Sequence, residues 1–277
     1  MSSRLLSATA THPPPEPAGA ACVFTRFSLR GRCALITGSS RGIGRAIALA
    51  LAEAGADVAI HGIGDDAQAR DVTRQAGAFG VRTTAIDRDL EDEKGACSVF
   101  EAVVAALGRV DILVLCASVQ TPREWTRIRH AETQRQFAVN YRSSVDLLQL
   151  AVPAMASRGW GRVLTIGSVQ ERHPHPDMLV YSSLKCAQTA LGLSLARRYA
   201  AQGVTLNNLA PGVIETDRYR ERVTTAEQEK TVLSWIPAGH LGAPADCAGA
   251  ALLLCSEAGR YITGQSMFVD GGMSLPG

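Results

Sequence analysis

A short run of small and apolar residues, Cys33–Thr37, leads directly into Gly38-Ser39-Ser40-Arg41-Gly42-Ile43-Gly44, and residues 43–54 carry apolar side chains at helical spacing. A strand, a glycine-rich turn and a helix in that order constrain the chain severely. Glycine permits the backbone conformations that a sharp reversal needs. Bare backbone can also bring its N–H groups against a pyrophosphate, where a helix N-terminus adds partial positive charge. By itself such a segment could be a mere turn. What surrounds it decides.

The surroundings alternate. Strand patterns at 56–60, 81–86, 110–115, 162–167, 205–209 and Ser266–Val269 are separated by helical patterns at 65–78, 91–107, 131–157, 180–201 and 244–256. Uninterrupted apolar strands such as 110–115 belong to parallel sheets covered on both faces. The pattern predicts an α/β fold: a single-domain, doubly wound parallel sheet of Rossmann type, with helices on both faces and ligands beyond the carboxyl ends of the strands. This domain is expected over residues 26–277. Residues 1–25 read as a disordered leader, rich in Ser, Thr, Ala and Pro, including Pro13-Pro14-Pro15, with no apolar stretch after Arg4 long enough for a secretory signal.

A second constellation carries chemistry. Ser168 follows the apolar strand 162–167, so its hydroxyl would emerge at a strand tip. Tyr181 and Lys185 stand four apart, which puts both on one face if the segment from 180 is helical. A free phenol titrates near ~10, and bringing it toward neutrality takes about 3 units, or roughly 4 kcal/mol, of preference for the phenolate. A neighbouring ammonium can supply much of that. Alone, Tyr-x-x-x-Lys would be an ordinary surface pair. This chain, however, has only three lysines, Lys94, Lys185 and Lys230, and otherwise uses arginine, so a lysine at this spacing is less readily dismissed as solubilising charge.

The glycine turn from Thr37 to Gly44, Ser168, Tyr181 with Lys185, Pro211-Gly212 followed by Thr216, and the ending Tyr261-Ile262-Thr263-Gly264 with Val269-Asp270-Gly271-Gly272 together resemble the short-chain dehydrogenase/reductase family. The resemblance runs from about Leu29 to Gly272 and is strongest to the 3-oxoacyl-(acyl-carrier-protein) reductase branch. It implies that Tyr181 is the general acid for carbonyl reduction, that Lys185 lowers its pKa and holds the nicotinamide ribose, and that Ser168 orients the substrate oxygen. Asn140 matches the family's helix asparagine that holds a water for proton relay to the lysine. Gly38, Ser40, Arg41, Gly42, Ile43 and Gly44 would cradle the pyrophosphate, Asp89 and Leu90 would contact adenine, and Pro211, Gly212, Ile214 and Thr216 would touch the nicotinamide half. One departure stands out. The family's Asn-Asn-Ala-Gly after the fourth strand is here Leu115-Cys116-Ala117-Ser118. Ala117 and Ser118 are still small enough for backbone to approach the adenosine ribose, but the asparagine amides that tie neighbouring strands are missing, so packing must compensate or the site is less stable.

Cofactor choice is expected to favour NADP over NAD. An acid at the end of the second strand would bind both ribose hydroxyls, and here His61-Gly62-Ile63 stands instead. Arg41 is placed to meet a 2′-phosphate, although Asp65 and Asp66 could oppose one. The expected activity is NADPH-dependent interconversion of a ketone and a secondary alcohol, on a small-molecule or acyl-carrier carbonyl such as a 3-oxoacyl thioester. Alternatives are an NAD-linked sugar, polyol or alcohol dehydrogenase and, from another class, a non-catalytic dinucleotide-binding scaffold or redox sensor. A homo-oligomer, tetramer or dimer, is implied by the resemblance.

Other partners are disfavoured. A formal charge of +2 gives no footing for nucleic acid, and no apolar run approaches ~18 residues, so no membrane span is expected. Seven cysteines without Cys-x-x-Cys spacing suit a reducing, cytoplasmic setting. No metal is expected: His173-Pro174-His175-Pro176-Asp177 reads as a wall of the substrate pocket. Cys116 and Cys186 lack a paired base in sequence, and Trp235 is placed either on a lid over the pocket or between subunits.

Overall fold

Strand β1 (Cys33–Thr37) is buried along its whole length, because its alternate side chains enter two different apolar layers. Ala34 and Ile36 belong to the layer on one face of the sheet, Cys33 and Leu35 to the layer on the other. The computed structural model describes residues 22–64 and 67–276. Around β1 lie β2 (Asp57–Gly62), β3 (Thr83–Asp87), β4 (Ile112–Leu115), β5 (Gly161–Ile166), β6 (Val204–Pro211) and β7 (Ser266–Val269). All pair in parallel, in the order β3-β2-β1-β4-β5-β6-β7. Winding reverses between β1 and β4, which opens a crevice at their carboxyl ends.

Helices α1 (Gly42–Glu53), α2 (Ala67–Gly77) and α9 (Pro244–Cys255) cover one face, with Ile47, Leu51, Val72, Ala251 and Leu254 packed against Ile36, Ile60 and Val114. On the other face, α3 (Gly95–Leu107) and α5 (Ser143–Ser157) bury Val99, Val103, Leu147 and Met155 against Leu35, Leu113 and Leu206, and α6 (Leu179–Tyr199) adds Ala196. The doubly wound α/β sheet expected from the alternation is the fold observed.

Several boundaries differ from expectation. The helix expected over 131–157 is α4 (His130–Phe137), a π-helical turn at Ala138–Arg142, and then α5. A π turn adds one residue without altering hydrophobic periodicity enough to read, and such turns concentrate at functional sites. β2 continues through His61 and Gly62, which pair with Ile86 and Asp87 of β3. The polar stretch after Thr216 contains α7 (Asp217–Arg220) and α8 (Ala226–Ser234), each capped by a threonine hydroxyl, from Thr216 and Thr225. Residues 23–25, assigned to the leader, belong to a 3-10 helix, Val23–Phe27, whose Arg26 donates to the Glu257 carbonyl; residues 1–21 lie outside the described residues. Among the described residues, no helix is long and apolar enough to cross a membrane.

Candidate active site

The carboxyl ends of β1, β4, β5 and β6 open into a cleft of about 870 Å³. Its wall includes Gly38, Ser40, Arg41, Gly42, Ile43, Gly44, His61, Asp89, Leu90, Ala117, Ser118, Ser168, Tyr181, Lys185, Pro211, Gly212, Ile214 and Thr216. Of the residues expected in the catalytic and cofactor-binding sets, Asn140 alone is absent from this wall.

The glycine turn is held in shape from below. Gly38 has φ +64°, and a Cβ there would sit 2.8 Å from Cα of Ala117; a Cβ on Gly44 would meet the Gly38 carbonyl oxygen at 2.3 Å. Both positions need bare backbone for α1 to start where it does. Ser39 Oγ donates to the Ile36 carbonyl at 2.7 Å and accepts from the His61 N–H at 3.0 Å. The His61 side chain, expected at the adenosine ribose, is instead turned inward: the Gly38 N–H donates to Nδ1 at 3.0 Å and Nε2 lies 2.9 Å from the Arg88 carbonyl. An acceptor at Nδ1 and a donor at Nε2 fix the neutral tautomer. Burial holds its pKa below the ordinary value. Arg41, at the N-cap of α1, is exposed and its side chain makes no hydrogen bond or ion pair among the described residues; Asp65 and Asp66, expected to oppose a phosphate, lie outside them. These residues fit a dinucleotide: a cradle too tight for side chains, a helix N-terminus and a free guanidinium beside it.

The missing asparagines are replaced by a hydroxyl. Thr37 Oγ1 accepts from the N–H groups of Cys116 and Ala117, at 3.0 and 3.1 Å, and donates to the Val114 carbonyl at 3.3 Å, so β1 itself secures the chain leaving β4. Asn140 completes the tie from the other side. Its Oδ1 accepts from the Val119 N–H and its Nδ2 donates to the Val119 carbonyl, both at 2.8 Å. The packing expected to compensate is therefore hydrogen bonding.

At the other end of the cleft, Ser168 follows β5 by two residues, and Tyr181 and Lys185 project from the first turns of α6. Tyr181 is 7% exposed and Lys185 1%. Ser168 and Tyr181 line the same cleft, and the Ser168 hydroxyl works to lower the pKa of the Tyr181 phenol. Lys185 Nζ lies 5.7 Å from the tyrosine ring centroid and donates to the Ile166 carbonyl at 2.7 Å and to Gln188 Oε1 at 3.1 Å. Gln188 donates in turn to Ser144 Oγ at 2.8 Å, and Ser144 to the Asn140 carbonyl at 3.4 Å. The link between Asn140 and Lys185 thus runs through Ser144 and Gln188. Burial lowers the Lys185 pKa to about 8. Burial pushes the Tyr181 phenol above its ordinary value, and the strongest charge pulling it back is that of Arg218, followed by the Ser168 hydroxyl.

Sequence reasoning missed four residues here. Gln188 follows Lys185 by three and Ser144 follows Asn140 by four, so helical spacing was the available signal. Glu171, half-buried beside Ser168, accepts the Ser168 N–H at 2.8 Å and the Asn208 amide at 3.2 Å, and burial raises its pKa. Its place three after a strand-end serine is a capping-box signature. Arg218 offered no signal. It crosses 100 residues of sequence to reach Ser118, donating to Oγ at 3.1 Å and to the carbonyl at 2.8 Å, so Ser118, expected at the adenosine ribose, is held by the segment that follows β6.

The remaining motifs sort plainly. His173 lies 3.3 Å from the Ser274 carbonyl and His175 accepts from the Asp177 N–H at 3.1 Å, while Met178 and Gln170 line the cleft instead of the histidines. No group of potential metal ligands occurs among the described residues. Burial raises the pKa of the Cys116 and Cys186 thiols, the wrong direction for a nucleophile. Trp235 lines the cleft and is 47% exposed.

A sequence model of a family described as Enoyl-(Acyl carrier protein) reductase matches residues 38–274. The chain is 36% identical to a 7alpha-hydroxysteroid dehydrogenase of Escherichia coli over 252 residues, covering 90% of this chain and 98% of that protein. It is 33% identical to a 3-oxoacyl-[acyl-carrier-protein] reductase of Aquifex aeolicus, covering 89% and 99%. Among solved structures, a 3-oxoacyl (acyl-carrier-protein) reductase from Agrobacterium tumefaciens with NADP bound superposes with a TM-score of 0.85 at 40% identity, over 90% of this chain and 96% of that one. A gluconate 5-dehydrogenase from Burkholderia cenocepacia, in complex with NADP and tartrate, gives 0.85 at 31% identity, over 92% and 99%.

Proposed function

The chain belongs to the short-chain dehydrogenase/reductase family, and from that premise we propose that it interconverts a ketone and a secondary alcohol, with NADPH supplying the hydride in the reducing direction. The observation that carries this reading is that Ser168, Tyr181 and Lys185 line one cleft whose other end is the glycine turn. Ser168 would donate a hydrogen bond to the substrate oxygen, and Tyr181 would deliver its proton to the same oxygen as charge develops there. Lys185, held by Ile166 and Gln188, would sustain the proton balance from behind. Glu171 is a positioning residue for Ser168, since it fixes the serine's backbone N–H.

NADPH is favoured over NADH by the free Arg41 guanidinium beside the turn and by the absence of an acid at the end of β2; neighbours of this fold also carry NADP. A 3-oxoacyl thioester is one substrate consistent with the relatives. A second reading, a sugar-acid or polyol dehydrogenase, is favoured by the gluconate 5-dehydrogenase neighbour. Assembly of copies into a dimer or tetramer is supported by the partly exposed edge strand β7 and the fully exposed Tyr261.

Turnover of NADPH with a panel of ketones, before and after Tyr181→Phe, is the test. We expect activity in the wild type and a loss of about 10²- to 10⁴-fold in the variant, with NADPH affinity within a few fold. Wild-type turnover in the variant would defeat the proton-donor assignment; no turnover of any carbonyl by the wild type would favour a dinucleotide-binding scaffold.

A further inference from the structure

We propose that the substrate carries a carboxylate close to its reacting carbon and that Arg218 and Arg222 bind it. The inference rests on the oxidoreductase reading above and names the chemistry of its substrate.

Three arginines follow one another at alternate positions in and after α7, and the segment treats them differently. Arg220 pairs with Glu215 at 3.0 Å and is absent from the wall of the cleft. Arg218 and Arg222, four apart and so on one side, both line it, and neither has a carboxylate at ion-pair distance among the described residues. Their hydrogen bonds go to neutral groups only: Arg218 to the hydroxyl and carbonyl of Ser118, Arg222 to the side-chain and main-chain oxygens of Gln120. Asp217 and Glu221 also belong to the wall, yet neither reaches the two guanidinium groups.

Two permanent cations placed together repel one another, and Arg218 works against the charge on Arg222. Glu221 offsets part of this at Arg222 without reaching ion-pair distance, and Glu215 is taken by the outward Arg220. Planar guanidinium forks are matched to carboxylates. Position separates the two possible sources of negative charge. Both arginines act electrostatically on Tyr181, at the reacting end, whereas Arg41 stands at the glycine turn. An anion meeting Arg218 and Arg222 would therefore belong to the substrate rather than to a cofactor phosphate.

The test compares acetoacetate and 4-oxopentanoate with their methyl esters, which remove the charge and keep the ketone. Two readouts are taken on the full chain: kcat/KM with NADPH, and calorimetric binding to the NADPH-loaded protein. We expect each acid to be preferred to its ester by tenfold or more. Arg218→Gln and Arg222→Gln should each cut that ratio about tenfold. Preferred binding of the acids without turnover would uphold the carboxylate site and defeat the oxidoreductase reading. Turnover of esters and acids alike would overturn the carboxylate site and leave that reading standing. An unchanged ratio together with a tenfold loss of NADPH affinity would assign the arginines to cofactor phosphates, and it too would overturn the proposal.

Discussion

The two ends of the cleft are built on opposite plans. At the glycine turn, the groups that shape the loop, Arg41 apart, are satisfied within the protein: Ser39 and His61 hold the loop to β2, and Thr37 holds the exit of β4 to β1. At the reacting end, charges are buried or crowded at a cost. Lys185 is sealed from solvent with two neutral partners, Tyr181 is pushed away from ionisation, and Arg218 and Arg222 have no acid at ion-pair distance among the described residues. One end buys rigidity; the other keeps unsatisfied charge in reserve for the molecule it acts on. Stability and activity should therefore respond in opposite ways to substitutions at the two ends.

The sharpest separation is expected from Lys185→Met. Replacing a buried ammonium by an apolar side chain of similar length removes a desolvation cost, so the melting temperature should stay level or rise. Turnover should fall about 10²- to 10⁴-fold. A melting temperature lowered by several degrees would mean that Lys185 is a structural strut, and the contrast between the ends would collapse.

At the turn, His61→Phe should do the reverse. It leaves the Gly38 N–H without an acceptor, at roughly 1–3 kcal/mol, and both melting temperature and NADPH affinity should drop. The wild-type ring also predicts a pH dependence. Its folded pKa lies below the ordinary 6.5, so the unfolded chain takes up a proton first as pH falls. The His61 contribution is complete above about pH 6.5 and declines below it toward the folded pKa, by up to about 1.4 kcal/mol per pH unit. Urea titrations of the wild type and His61→Phe between pH 5 and 8 measure it; parallel curves for the two proteins would refute it.

The smallest effect is reserved for Arg41→Ala. The side chain makes no hydrogen bond or ion pair among the described residues, so stability should be unchanged while NADPH affinity weakens about tenfold and NADH affinity hardly moves. Equal losses for both cofactors would place the guanidinium at the shared pyrophosphate instead.

What could be read from sequence followed the range of the interaction. β1, the glycine turn and α1 were legible because they are contiguous, and Tyr181 with Lys185 because one helical turn joins them. Gln188 lay within the same reach and was passed over. His61 and Thr37 were opaque, since nothing local shows that a histidine at a strand end turns inward or that a threonine hydroxyl will replace two absent amides. Arg218 was the least visible of all, because its contact with Ser118 exists only once β4 and β6 have been laid into one sheet.

The π turn at Ala138–Arg142 has a geometric consequence of its own. One surplus residue advances the phase of a helix by about 100°, so α4 and α5, although nearly continuous in sequence, address different neighbours: α4 leans on α6, and α5 mainly on α3. The rod works as a swivel frozen at one setting, and Asn140 sits at its pivot, where it can grip Val119 on the cleft side while its carbonyl faces Ser144.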